Sequence, residues 1–215
     1  NAGKGTPANN LYLVETLMQI KIYLLERGIR MIYFISDTHF YHKSIIPYCK
    51  RPYSSIEEMN KKLIENWNYT VNDDDTIYFL GDFSFGNAEQ SHAICNQLKG
   101  IKVIIRGNHD RDRGEQSWRN IGFDLVLDSP QKLYYVDRNH NFKYVILSHE
   151  PQYIKDNEFN IHGHIHDALL ESEYPDMKSN NHLCVCVERI NYKPISFEDI
   201  QKDYLEKFFI EKEGR

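Results

Sequence analysis

Five times along this chain a short apolar run stops beside a residue that can ligate a metal. Met31–Ile35 leads into Asp37 and His39, Thr76–Leu80 into Asp82, and Ile101–Ile105 into Asn108. Phe142–Leu147 leads into His149, and Phe159–Ile161 into His164 and His166. Runs this short, rich in branched and aromatic residues, read as buried strands. Between them, Ser54–Asn68 and Glu89–Leu98 read as helices, the first with Ser54 or Ser55 as N-cap and Glu57 and Glu58 in its first turn. Strands alternating with helices predict an α/β fold. In such folds the loops beyond the strand ends carry the sites, so residues distant in sequence converge at one edge.

The remaining segments fill in around this frame. Phe123–Leu127, Lys132–Val136 and His182–Val187 read as further strands, with Ser129-Pro130 and Asp137–Asn141 as turns. Asp73-Asp74-Asp75 reads as a turn, 168–181 as a polar loop and Phe197–Phe209 as a closing helix. Residues 1–10 are small and polar, and predict a poorly ordered start. Leu13, Leu17, Ile20 and Leu24 then recur on one helical face within Leu11–Arg27, which Gly28 would end. Charges interrupt that run, so it is read as a packed surface helix and not a membrane span. The reading is an N-terminal extension over 1–30 and one domain over 31–215.

Composition narrows the class. Apolar residues make up 41%, which excludes a largely disordered chain. The net charge of −5 argues against a general electrostatic grip on nucleic acid, which calls for a basic face. Cys49, Cys95, Cys184 and Cys186 form no C-x-x-C pair, so a zinc ribbon or a thioredoxin motif is not indicated. They read as free thiols of a cytoplasmic protein.

The strand-end residues offer oxygen and nitrogen and no sulfur. That mixture suits Mn, Fe, Zn, Ni or Co better than Ca or Mg, and better than a structural thiolate zinc site. In D-x-H and H-x-H, alternate residues of an extended segment point the same way, so Asp37/His39 and His164/His166 can each face one cluster. Gly81, Gly107 and Gly163 each precede a ligand, where a residue without Cβ permits a sharp exit.

Taken in order, Asp37-x-His39, Gly81-Asp82, Gly107-Asn108-His109-Asp110, His149 and Gly163-His164-x-His166 resemble the calcineurin-like metallophosphoesterase superfamily. The resemblance covers Met31 to Ile200. It is nearest to small single-domain bacterial and phage-type members, through Ile35–Phe40 and Arg51-Pro52-Tyr53. It implies a four-layer α/β/β/α sandwich of two mixed β-sheets with a two-metal centre, manganese favoured. It implies that Asp37, His39 and His166 bind one metal, that Asn108, His149 and His164 bind the other, and that Asp82 bridges both. His109 would be the catalytic residue, a general acid or transition-state donor beside the phosphate. The implied activity is hydrolysis of a small phosphomonoester or phosphodiester by a hydroxide that both metals activate.

Several residues stay open at this level. Arg106 is a second candidate donor. Asp110 either orients His109 or is a solvated turn residue. His42, Lys43 and Arg51 either reach substrate phosphate or belong to a solvated loop. Tyr41 stands where relatives often have glycine. His162 is either a partner behind the ligands or a strand-end residue, and His182, Cys184 and Cys186 read as a closing strand that mimics a small zinc site. Two other functions compete: a nuclease of the same superfamily, disfavoured by the acidic balance, and a non-catalytic metal-binding scaffold, disfavoured by the complete ligand set.

Overall fold

The structure is a computed structural model that describes residues 31–137 and 139–213. The leader helix, the polar start and the boundary drawn at residue 30 lie outside the described residues.

Strand β1 (Ile32–Ile35) pairs in parallel with β2 (Thr76–Phe79), β2 with β3 (Ile101–Ile105), and β3 with β4 (Leu125–Leu127). The edge strand β9 (Ile195–Ser196) joins β1 antiparallel, so the first sheet runs β4-β3-β2-β1-β9. The second sheet runs β5-β6-β7-β8. Its β5 (Gln131–Val136) and β6 (Phe142–Leu147) form an antiparallel hairpin, and β7 (Asn160–His162) and β8 (His182–Cys184) extend it in parallel.

Alternation along the strands divides the core in two. Ile35 and Ile104 face a helical layer, while their neighbours Phe34 and Ile105 face the second sheet. The helical layer holds α1 (Ile45–Tyr48), α2 (Ile56–Thr70), α3 (Ala88–Cys95) and α4 (Glu115–Ile121). In α2, Met59, Leu63 and Trp67 recur at four-residue steps and bury one stripe. Its N-cap is Ser55, whose Oγ accepts from Glu58 N at 3.1 Å. Trp67 and Trp118 are both buried at 1% exposure, and truncating either to alanine would cost about 3–5 kcal/mol.

Val145, Leu147, Ile161 and Leu183 of the second sheet meet Phe34, Leu80 and Ile105 across the sandwich. The closing helical run packs into the same core through Phe197, Ile200, Leu205 and Phe208. It comprises α6 (Phe197–Ile200), a π turn (Gln201–Leu205) and α7 (Glu206–Glu213). The fourth layer is thin. It consists of α5 (Leu170–Glu173) with Ile165 and Met177, packed on Cys184 of β8. The far side of that sheet face shows Phe142 and Tyr134 to solvent. This is the α/β/β/α sandwich of two mixed sheets. No helix among the described residues is long and apolar enough to cross a membrane.

Three local readings change. The stretch 168–181 is not all loop, because Leu170 and Met177 are buried there around the turn of α5. Helix α4 has only two buried positions in seven residues, too few to show a period. The Asp73–Asp75 turn also does structural duty: buried Asp75 accepts from Met31 N at 3.1 Å and from Asn72 N at 2.8 Å.

Candidate metal centre

Parallel pairing puts the ends of β1, β2 and β3 on one edge, and the loops beyond them are laced together by backbone hydrogen bonds. Asp37 N donates to Gly81 O at 3.0 Å and His39 N to Asp82 O at 3.1 Å. The second sheet adds its loops to the same edge: Gly163 N donates to His149 O at 2.9 Å, and His164 N to Asp37 Oδ2 at 2.9 Å. The loops approach so closely that side chains are excluded at two glycines. A Cβ on Gly107 would collide with the Asp82 carboxylate, and one on Gly163 with the Asp37 carboxylate.

The D-x-H and H-x-H pairs do not converge by extended alternation. Asp37 (φ 56°), His39 (φ 50°), Asp82 (φ 61°), His164 (φ 72°) and His166 (φ 48°) all lie in the left-handed region. Tight left-handed turns aim each pair, at a cost of about 1–2 kcal/mol per residue that the surrounding packing must offset. Tyr41 adopts the same conformation at φ 63°, the backbone a glycine would take there.

Two overlapping groups of candidate ligands result. Asp37, His39 and His166 form one, and Asp37, Asp82 and His149 the other. His39 Nε2 lies 3.6 Å from Asp37 Oδ1 and 3.7 Å from Asp82 Oδ2. His166 Nε2 lies 3.8 Å from Asp37 Oδ1. On the other side, His149 Nε2 is 3.5 Å from Asp82 Oδ2 and 2.8 Å from Asn108 Oδ1, and His164 Nδ1 is 3.1 Å from that same amide oxygen. Donor atoms about 2.0–2.2 Å from one ion sit roughly 3–3.5 Å from each other, so these separations are of ligating size. Asp37 Oδ1 and His39 Nε2 are buried without any hydrogen-bond partner. Orphaned atoms of that kind are costly, and a cation among them would satisfy both. The residues present therefore fit a divalent metal.

Protonation matches that use. Burial alone would push the Asp37 carboxyl up, but His149, His39 and His166 outweigh it and hold Asp37 well below the usual carboxylate range. Burial pushes His39 down, so its imidazole stays neutral with a lone pair available. Burial also opposes charge on His166, yet Cys49, Glu188 and Asp37 raise it to about 11.

The residues behind these groups differ from the sequence reading. Asp110 neither orients His109 nor meets solvent. At 1% exposure it accepts from Asp82 N at 2.6 Å, Gly107 N at 2.8 Å and Phe83 N at 3.2 Å, tying two ligand loops together. Arg51 is buried as well, and its guanidinium holds Asp37 O, Thr38 O and Glu188 instead of reaching outward. Glu188, absent from the sequence reading, lies 3.2 Å from His166 Nδ1. It follows the His182–Val187 run just as the ligands follow theirs, and that was its signal in the sequence. Cys186 Sγ donates to Asp37 Oδ2 at 3.1 Å. His162 turns away to the Gly163 carbonyl and packs against His182.

His109 stands apart from the two groups. Its Nε2 is 3.9 Å from Asp82 Oδ2, its side chain is 49% exposed, and it faces a cleft of about 630 Å³ also lined by His42, Tyr48, Asp167 and Glu173. His42 stacks on Phe85 with ring centres 3.9 Å apart, and Phe85 lies 4.8 Å from the His109 ring. Lys43 is exposed and does not line this cleft. Arg106 points elsewhere, paired with Asp128 and donating to Arg113 O at 3.3 Å. Arg106→Ala is therefore expected to change turnover of p-nitrophenyl esters less than about twofold and stability by no more than about 1 kcal/mol. A fall in rate of about tenfold would return it to the site.

The chain is similar to proteins already known. It is 41% identical over 182 residues to an uncharacterized protein of Methanocaldococcus jannaschii, covering 81% of this chain and 92% of that one. It is 36% identical over 81 residues to the gene 66 protein of Mycobacterium phage L5, covering 36% of this chain and 39% of that protein. Among solved structures it is similar to a protein of unknown function from Aquifex aeolicus, at 28% identity and a TM-score of 0.61, covering 80% of this chain and 98% of that one. The profile for calcineurin-like phosphoesterases matches residues 31–209, which takes in both sheets and every strand-end ligand candidate. By that match, the chain belongs to the calcineurin-like phosphoesterase family.

Proposed function

We propose that this chain hydrolyses small phosphate esters with two divalent metals, manganese favoured, and that it prefers phosphodiesters. The observation that carries the reading is the position of Asp82 Oδ2, 3.7 Å from His39 Nε2 and 3.5 Å from His149 Nε2, between one histidine of each ligand group, beside Asp37, which belongs to both groups. Asp37, His39, His166 and Asp82 would hold one ion, and Asp82, Asn108, His149 and His164 the other. The chemistry supplied by such a pair is acidification of water and neutralisation of phosphoryl charge.

The chain's own residues do the rest. His149 Nδ1 lies 2.8 Å from Leu80 O, which fixes that nitrogen as the donor and leaves Nε2 free to ligate. The Asp82 carboxylate accepts from His109 N at 3.0 Å and so anchors the turn from which the His109 ring reaches the cleft. There the imidazole can protonate the departing alkoxide. The diester preference rests on charge. Among the described residues no lysine or arginine lines the cleft, and Asp167 and Glu173 stand in its wall. Those two carboxylates repel a dianionic monoester more than a monoanionic diester. The same acidic wall disfavours a nuclease, whose substrate carries a charge at every phosphate. The complete ligand set supports an enzyme over a scaffold. Free cysteines suit a reducing compartment, and a cytoplasmic location is part of this proposal.

The test is a manganese-loaded assay on bis-p-nitrophenyl phosphate beside p-nitrophenyl phosphate. The diester should be cleaved faster, and a faster monoester reaction reverses the preference. His109→Ala should keep its metal and lose about 10²–10⁴-fold in rate. If metal analysis shows that His109→Ala is stripped instead, His109 is a ligand and the assignment fails.

A further inference from the structure

Arg51 and Glu188 are separated by 137 residues in the chain, yet they meet behind His166. Arg51 has no exposed side-chain surface, and Glu188 has 5%. A buried guanidinium and carboxylate are retained at a high desolvation penalty, so each contact they make is informative. One arm of the Arg51 fork donates to Thr38 O at 2.7 Å and the other to Asp37 O at 2.7 Å, both carbonyls of the D-x-H turn. Its Nε donates to Glu188 Oε1 at 2.8 Å. That carboxylate oxygen also lies 3.2 Å from His166 Nδ1. The opposite ring nitrogen, His166 Nε2, faces Asp37 Oδ1.

We propose that Arg51 and Glu188 are positioning residues for the first metal, resting on the metal-dependent reading above. Glu188 accepts a hydrogen bond from the Nδ1–H of His166, which fixes the tautomer that leaves Nε2 free. A carboxylate behind a ligating imidazole also raises its basicity. Arg51 holds Glu188 in place and clamps the left-handed turn that carries Asp37 and His39. Three ligands from opposite ends of the chain are thereby set by one planar fork, a task lysine's single point charge does not match.

The same atoms permit a rival reading. Cys49, His166 and Glu188 are grouped closely enough to hold a cation themselves, and Glu188 Oε2 is buried without a partner. Against it stands the Arg51 guanidinium, 2.7 Å from Glu188 Oε1, which would repel a cation bound there.

Manganese binding to the full chain decides between them, by equilibrium dialysis with metal analysis and without reference to turnover. Glu188→Gln should weaken one binding step about 10–100-fold and leave the other within about twofold; the metal-free melting temperature should fall, because the buried Arg51 loses its charge partner. Arg51→Lys should weaken the same step. Unchanged affinity at both steps in Glu188→Gln overturns the proposal. So does a third equivalent in the wild type that Glu188→Gln removes, which would make Glu188 a ligand. Should the chain bind manganese as described yet cleave no ester, the enzymatic reading fails and the positioning role stands. Where Arg51→Lys does not fold, Glu188→Gln alone decides.

Discussion

Asp82→Asn is expected to remove metal binding and hydrolysis together, and to leave the metal-free fold intact. The amide keeps one oxygen, enough to accept from His109 N, but it supplies neither the charge nor the second lone-pair set needed between two cations. Losing a residue behind a ligand typically costs about 10–100-fold in affinity or activity, so losing a shared ligand should cost more than about 100-fold. Stability should move the other way. Burial first, and the nearby Asp37 charge, raise the Asp82 carboxyl, which shows that its negative charge is disfavoured in the metal-free protein. Replacing it with a neutral amide should hold or raise the melting temperature without metal. Metal analysis, diester turnover and calorimetry on one preparation test all three points. A variant that keeps its full metal content and its rate would end the bridging assignment.

Asp110→Ala is expected to cost more stability than any other single change at the site. The carboxylate accepts from three backbone N–H groups, those of Asp82, Gly107 and Phe83, in a fully buried position. Each donor left unpaired costs about 1–3 kcal/mol, so a total of about 3–5 kcal/mol is a conservative expectation. For a domain of this size that lowers the melting temperature by roughly 6–20 °C. Asp110→Asn should recover part of that loss, since one amide oxygen can accept from both Asp82 N and Gly107 N while its NH₂ would face Phe83 N. Trp118 Nε1 donates to Asp110 O at 3.2 Å, so the disturbance also reaches the helical layer. A shift under about 2 °C in metal-free protein would show that the three bonds matter less than their geometry implies.

What the sequence disclosed and what it hid follow from the range of the interactions involved. The gathering of Asp37, His39, Asp82, Asn108, His149, His164 and His166 at one edge needed only local information, a buried run and the residue after it. The left-handed backbone beneath five of them was hidden, because aspartate and histidine stand there for their donor atoms, and their modest enrichment at positive φ does not outweigh the extended reading of D-x-H and H-x-H. Asp110 looked like a turn residue because nothing local separates a carboxylate that accepts from solvent from one that accepts three amides. Arg51 and Glu188 were beyond reach for a different reason: their meeting depends on the final packing of both sheets. The thin fourth layer escaped because Leu170 ends a three-residue apolar run, Ala168-Leu169-Leu170, and Met177 stands alone in the polar stretch after it, with no period to betray them.

The left-handed ligand positions also bear on how such a chain would age. Glycine occupies that region without strain, and asparagine and aspartate tolerate it better than other side chains. While metal-dependent chemistry is under selection, His39, His164 and His166 are held in a conformation that glycine would take more readily. Once that selection lapses, drift to glycine or asparagine at these three sites would relieve backbone strain. A descendant that has lost its chemistry would then carry a record of the loss, written in the residues at those turns and not in the core.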